Sequence, residues 1–185
     1  MKIGNIEIDR PIALAPMEGI TDQPFRVMCR RMGAGLVYSE FIAAEALIRD
    51  SVKSQRKMII HDEERPAFIQ IFGSKVESMI LAARIVEESG ADFLDINFGC
   101  WVRKVVGNNA GAAFLKDPNR LLEMATAVAS AVKIPVTVKT RLGWDPRCIV
   151  ILEVAEQLHR TGVQVLTLHC RTRDMGMSGE ADWSW

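Results

Sequence analysis

The chain has 185 residues, 49% hydrophobic and 25% charged, with 23 basic and 23 acidic side chains and a formal net charge of zero. That composition suits one soluble domain with a sizeable core, and the charge balance rules out global electrostatics as a route to nucleic acid, so any such site must be local. Four scattered cysteines without a C-x-x-C pair argue against a disulfide framework and against cysteine metal spacing. The charged N-terminus and the lack of a long apolar run predict a cytoplasmic protein with no membrane partner.

In chain order, the first expected strand is residues 12–15. It runs into Ala15-Pro16-Met17-Glu18-Gly19-Ile20 rather than the Gly-x-Gly-x-x-Gly loop of a dinucleotide-binding sheet. A helix over 22–32 follows, capped by Thr21 and stopped at Gly33, and then a strand over 36–39. Strand 67–72 leads to a helix over 75–89, which starts after Ser74 and stops at Gly90. Strand 93–97 ends on Asn97-Phe98-Gly99-Cys100, a cysteine on a glycine hinge. The small-residue run 107–113 beyond it can bring backbone close to a ligand. A helix over 118–132, with Asp117 as cap and proline in its first turn, leads to strand 136–139. A last helix over 149–161 stops at Gly162 and leads to strand 165–169.

This alternation predicts a parallel sheet. A polar residue in a buried parallel strand is costly unless paired. Yet Gln70, Asn97, Lys139 and His169 each stand at or near the C-terminal end of a largely apolar run. Four such residues on consecutive strands predict a ligand-facing rim. Period-two geometry adds Arg141 to the face of Lys139 and Asp95 to the face of Asn97. Chemistry at the ends of many strands favours a (β/α)8 barrel over a doubly wound sheet. Only six units fit, so the expectation is an α/β domain of TIM-barrel type, truncated after about six β/α units. A complete six-stranded open sheet is the other architecture. Cys100 is the candidate catalytic residue, because a loop after a buried strand gives a thiol a polar, partly exposed setting. Its competing role is that of a small buried hydrophobe.

Six segments together resemble the N-terminal part of the catalytic barrel of the tRNA-dihydrouridine synthases, nearest their bacterial B-type branch. They are Leu14-Ala15-Pro16-Met17-Glu18-Gly19-Ile20-Thr21-Asp22, Gln70-Ile71-Phe72-Gly73, Asp95-Ile96-Asn97-Phe98-Gly99-Cys100, Gly111-Ala112-Ala113-Phe114-Leu115, Val138-Lys139-Thr140-Arg141-Leu142-Gly143-Trp144 and His169-Cys170-Arg171-Thr172. The resemblance implies reduction of the C5=C6 bond of selected uridines in a tRNA substrate. NADPH or NADH would reduce FMN, the flavin would deliver hydride to C6, and Cys100 would give a proton to C5. It places Pro16, Met17, Glu18, Gln70, Lys139 and His169 at the flavin, and Asn97 and Arg141 at the uracil. It implies no metal and a monomer when full length.

Basic residues on the catalytic loops (Arg103, Lys104, Arg141, Arg171, Arg173) suit RNA phosphates, and Trp101 and Trp144 are candidate rings for stacking a base. The sequence departs from the family pattern at Trp101, where proline is usual, and at Cys170, where glycine is usual. The absent last two units would hold the loops that grip the FMN phosphate, and the helical tRNA-binding domain would lie beyond them. The expectation is therefore weak FMN binding. Two other readings stand beside this one: an FMN barrel of the dihydroorotate dehydrogenase kind, and a truncated remnant without catalysis.

Overall fold

The computed structural model describes residues 1–185. A small antiparallel hairpin, β1 (Lys2–Ile3) and β2 (Ile6–Glu7), precedes the main sheet. The sheet is parallel and built from β3 (Ala13–Leu14), β4 (Leu36–Tyr38), β5 (Ile42–Ala43), β6 (Ala67–Phe72), β7 (Phe93–Asn97), β8 (Val136–Arg141) and β11 (Val165–His169). Its order is β3-β4-β6-β7-β8-β11, with β5 pairing β6 to one side. Neighbours in space are therefore successive in the chain, with no reversal of direction. A doubly wound sheet reverses its order at a switch point; a barrel does not. The architecture is six units of the (β/α)8 type, open between β3 and β11.

The sheet curls. Tyr38 on β4 and Thr167 on β11 bring their hydroxyls to 3.5 Å across the concave side, four strands apart in the order. Strand periodicity then separates two cores. Outward residues Ile69, Ile71, Leu94, Ile96, Val136 and Val138 pack with the helices in the larger one. Inward residues Leu36, Tyr38, Phe68 and Phe93 pack with Ile3 and Ile8 of the N-terminal segment in the smaller one. Tyr38, Phe68 and Phe93 stack in succession, with centroids 4.2 and 4.4 Å apart. The aromatic layer makes a dry floor at the N-terminal ends of the strands. Above it the inward positions turn polar: Gln70, Asp95 and Thr137, then Asn97, Lys139, Arg141 and His169.

The helices cover the outer face. They are α1 (Gln23–Arg31), α2 (Ala44–Leu47), α3 (Val52–Met58), α4 (Val76–Glu88), α5 (Arg103–Val106), α6 (Pro118–Ala131) and α7 (Ile151–Leu158). Helix α1 is capped by Asp22, whose carboxylate accepts from the Phe25 N–H, and not by the expected Thr21. The Thr21 hydroxyl is buried and bonds both backbone groups of Met17. Asp117 caps α6 as expected, accepting from the Arg120 N–H. The expected helix over 149–161 begins later, because Cys148–Ile149 forms β10, paired with β9 (Gly143–Asp145). The expected strand over 12–15 shrinks to Ala13–Leu14, and that over 136–139 lengthens to Arg141. Helices α2 and α3 fill the stretch between the second and third strands, where no element was expected.

Candidate functional site

Three carbonyl-end loops meet on the rim. They follow β7 (98–102), β8 with its hairpin, and β11 (170–179). Strand β7 hands its chain directly to β8, since the Phe98 N–H donates to the Lys139 carbonyl at 2.8 Å. This sets the Cys100 loop beside Lys139. The amide oxygen of Asn97 then accepts from the Gly99 N–H at 3.1 Å and from the Cys100 N–H at 2.9 Å, a side-chain turn that asparagine favours. Asn97, expected at the uracil, thus has both lone pairs turned to the loop. Its amide nitrogen donates to Gln70 Oε1 at 2.8 Å.

Gln70 is fully buried and donates in turn to Asp95 at 2.6 Å. Asp95 also accepts from the Thr137 hydroxyl. Lys139 and Asp95 form no ion pair; the carboxylate is held by neutral donors. Burial pushes the Asp95 carboxyl up to about 6, opposed by the Thr137 and Gln70 hydrogen bonds and by the Lys139 charge. Lys139 is shifted the other way. Burial lowers its pKa, Asp95 pulls it back up, and Arg141 adds to the lowering.

Arg141 is 3% exposed and acts as a staple between loops. Its Nε donates to the Gly99 carbonyl at 2.9 Å and its Nη1 to the Thr172 carbonyl at 3.0 Å. The guanidinium therefore joins the loop after β7 to the loop after β11. The later part of the small-residue run 107–113, Gly111 and Ala112, meets the loop after β7, whereas residues 107–109 are exposed. Gly111 has φ +59°, and a Cβ there would lie 2.8 Å from the Cys100 carbonyl oxygen, while the Ala112 N–H donates to that oxygen at 3.0 Å.

Cys100 itself is half-buried. Burial pushes its thiol up from the ordinary value; the Val102 hydrogen bond and the Arg141 charge oppose this, and the Glu18 carboxylate adds to it. The thiol stays protonated at neutral pH. His169 is half-buried, with Nε2 at 3.3 Å from Arg171 Nη1. Burial first, then the charges of Arg141, Lys139 and Arg171, push its pKa down to about 4, so its ring is neutral at pH 7.

An open cleft of about 710 Å³ lies against this rim, lined by Ala15, Lys139, His169, Arg171 and Trp183 among others. Pro16, Met17 and Glu18 follow Ala15 directly. The Glu18 carboxylate is held by Lys57 Nζ at 2.6 Å, and the same ammonium lies 3.5 Å from Glu40, which accepts from the Gly19 N–H. Lys57 and Glu40 escaped the sequence reading because they sit in the stretch where no element was expected. The Trp144 ring is already engaged by two cations, Lys116 Nζ at 3.8 Å and the Arg173 guanidinium at 4.2 Å. That leaves Trp101, 39% exposed and lying over Gly176, as the more accessible ring. No group of three or more His, Cys, Asp or Glu side chains could hold a metal ion, and no helix is long and apolar enough to cross a membrane.

A family model described as dihydrouridine synthase matches residues 13–185. A probable tRNA-dihydrouridine synthase of Rickettsia prowazekii is 43% identical over 186 residues, covering 100% of this chain and 57% of the relative. A tRNA-dihydrouridine synthase B of Klebsiella pneumoniae is 42% identical over 183 residues, covering 99% of this chain and 57% of the relative. A probable tRNA-dihydrouridine synthase of Rhizobium leguminosarum is 41% identical over 172 residues, covering 93% of this chain and 54% of the relative. The chain thus spans somewhat more than half the length of these curated relatives.

Proposed function

The chain belongs to the dihydrouridine synthase family, and on that premise we propose that it carries the rim on which selected uridines of tRNA are reduced to 5,6-dihydrouridine, with Cys100 as the proton donor. The observation that carries this reading is a thiol kept protonated and tied by its own loop to a cationic cleft. The donor set of the cleft suits an anionic, phosphate-bearing flavin such as FMN. Lys139 and Arg171 supply positive charge against the single carboxylate of the lining, Glu180, and Arg171 Nε is buried with no partner of its own. When bound, FMN reduced by NADPH or NADH supplies hydride to C6 of the uracil.

The remaining steps belong to the protein. Lys139 and neutral His169 would hold and orient the cofactor, with the side chains of Pro16 and Met17 packed beside it and Lys57 fixing Glu18 next to them. The Cys100 S–H bond breaks as its proton passes to C5, and the electron pair remains on sulfur as a thiolate. Arg141 sits where it stabilises that thiolate, since its charge already opposes the upward shift of the thiol. Solvent then returns a proton to the sulfur. Arg103 and Lys104, both exposed at the start of α5, and the Trp101 ring stand ready for RNA phosphates and a splayed base.

In a chain extended to the length of its relatives, Cys100→Ala should leave reduction of FMN by NADPH nearly unchanged and slow reoxidation by unmodified tRNA about 10²–10⁴-fold, the usual loss for a positioned general acid. Rapid mixing of the FMN-loaded protein separates the two half-reactions. Equal reoxidation rates in parent and variant would remove Cys100 from the chemistry.

A further inference from the structure

An ionised carboxylate only accepts hydrogen bonds, whereas a primary amide donates from one end and accepts at the other. One buried anion can therefore set the direction of every amide chained to it. Asp95 stands at the head of such a chain. Gln70 must present Nε2 to Asp95, at 2.6 Å, which turns its Oε1 to Asn97. Asn97 must then present Nδ2 to Gln70, at 2.8 Å, which turns its Oδ1 to the loop. There that oxygen receives the N–H groups of Gly99 and Cys100. Gln70 and Asp95 are fully buried and Asn97 is 8% exposed, so water is kept from supplying substitute partners. Were the amides reversed, Asn97 would point N–H against N–H, and two loop donors would lose their acceptor.

We propose that Asp95 is a positioning residue which, through Gln70 and Asn97, sets the polarity of the relay that holds Cys100 on the rim. The role deepens the reading above and rests on it for its catalytic consequence; the geometry itself needs neither flavin nor RNA. The charged and titratable groups around the relay are Lys139 and Tyr38 at the Asp95 end, and Arg141 and Glu18 at the Cys100 end. None of these donates to Asn97 Oδ1, which accepts from the Gly99 and Cys100 N–H groups, so the relay is the loop's side-chain acceptor.

The test reads amide hydrogen exchange at Gly99 and Cys100 in the 185-residue chain, without cofactor or tRNA. Asp95→Asn removes the anion at constant volume and lets the amides adopt either direction. Exchange at both positions should rise by about fivefold, the factor that corresponds to one lost hydrogen bond. The swap Asp95→Asn with Gln70→Glu moves the carboxylate one step along the chain. The new Glu accepts from Asn at position 95 and from Asn97 together, so the outer direction is restored and exchange should return to the parent rate. Thr137→Val removes a bond to Asp95 outside the relay and should leave both amides slow. Unchanged exchange in Asp95→Asn, failure of the swap to slow it, or an equal rise in Thr137→Val would each overturn the proposal. Undiminished uridine reduction by Cys100→Ala would instead sink the proton-donor role and leave these exchange rates where they are.

Discussion

At His169 the surroundings decide the charge. Partial burial first, and then three cations, hold its folded-state pKa at about 4, below the ordinary 6.5. The native state then binds fewer protons than the unfolded state between those values. The stability this group contributes is whole above pH 6.5 and is lost as pH falls towards 4. Asp95 works in the opposite sense. Its folded value of about 6 lies above the ordinary 3.8, so its contribution is whole below 3.8 and is lost as pH rises through 6. A proton NMR titration should find the His169 ring neutral down to pH 5. Lys139→Met should move its midpoint upward, because one of the three opposing charges is gone. A His169 midpoint at or above 6.5 in the parent would mean that the cationic rim does not exist in solution. The rim positions themselves were legible from polar residues ending apolar runs. The partners were not, because alternation places Gln70, Asp95 and Asn97 on one face but says nothing about which amide end points where.

Among the elements, the long strands could be read because residues 67–72, 93–97 and 136–139 are buried on both faces and so keep an apolar run. What escaped is short: a two-residue hairpin pair, a four-residue helix and a charged seven-residue helix whose periodicity is too brief to register. One of the ties in that region is concealed altogether. Arg26 of α1 is 2% exposed and pairs with Glu64, which is fully buried and also receives the His61 N–H. Arg26 further donates to the carbonyls of Thr21 and Ile59. Helix α1 is thereby pinned to the turn before β6 by charge as well as by packing. Glu64→Ala should destabilise the fold by about 3–5 kcal/mol, because it strands a guanidinium in the interior. Urea unfolding measures this. Arg26→Met with Glu64→Leu should recover most of the loss, and a single-variant cost below about 1 kcal/mol would show that the pair is open to solvent.

Taken whole, the molecule places chemistry and support at opposite ends of one sheet. Aromatic residues fill the concave side near the strand starts, while titratable ones line it near the strand ends, the division expected of a barrel. The unit count and strand direction followed from the repeating pattern of strand, helix and glycine. The barrel reading also implied the curl, but not the pairs that close it, such as Tyr38 with Thr167, because those residues are 129 positions apart.

The floor has a consequence for the order in which the chain can assemble. Ile3 and Ile8 precede every strand of the main sheet in the chain, yet their neighbours include Phe93 and Val165, and Gly4 donates to Gln164 across 160 residues. Closing so large a loop is entropically expensive, and contacts of this span tend to form late. The hairpin of β1 and β2 therefore waits, exposed, until β11 exists. Ile3→Ala should cost about 2–5 kcal/mol as a buried truncation. Nearly all of that loss should appear as faster unfolding, with the refolding rate hardly changed. Stopped-flow chevrons resolve the two limbs. A refolding limb slowed in proportion to the lost stability would instead make Ile3 part of the nucleus.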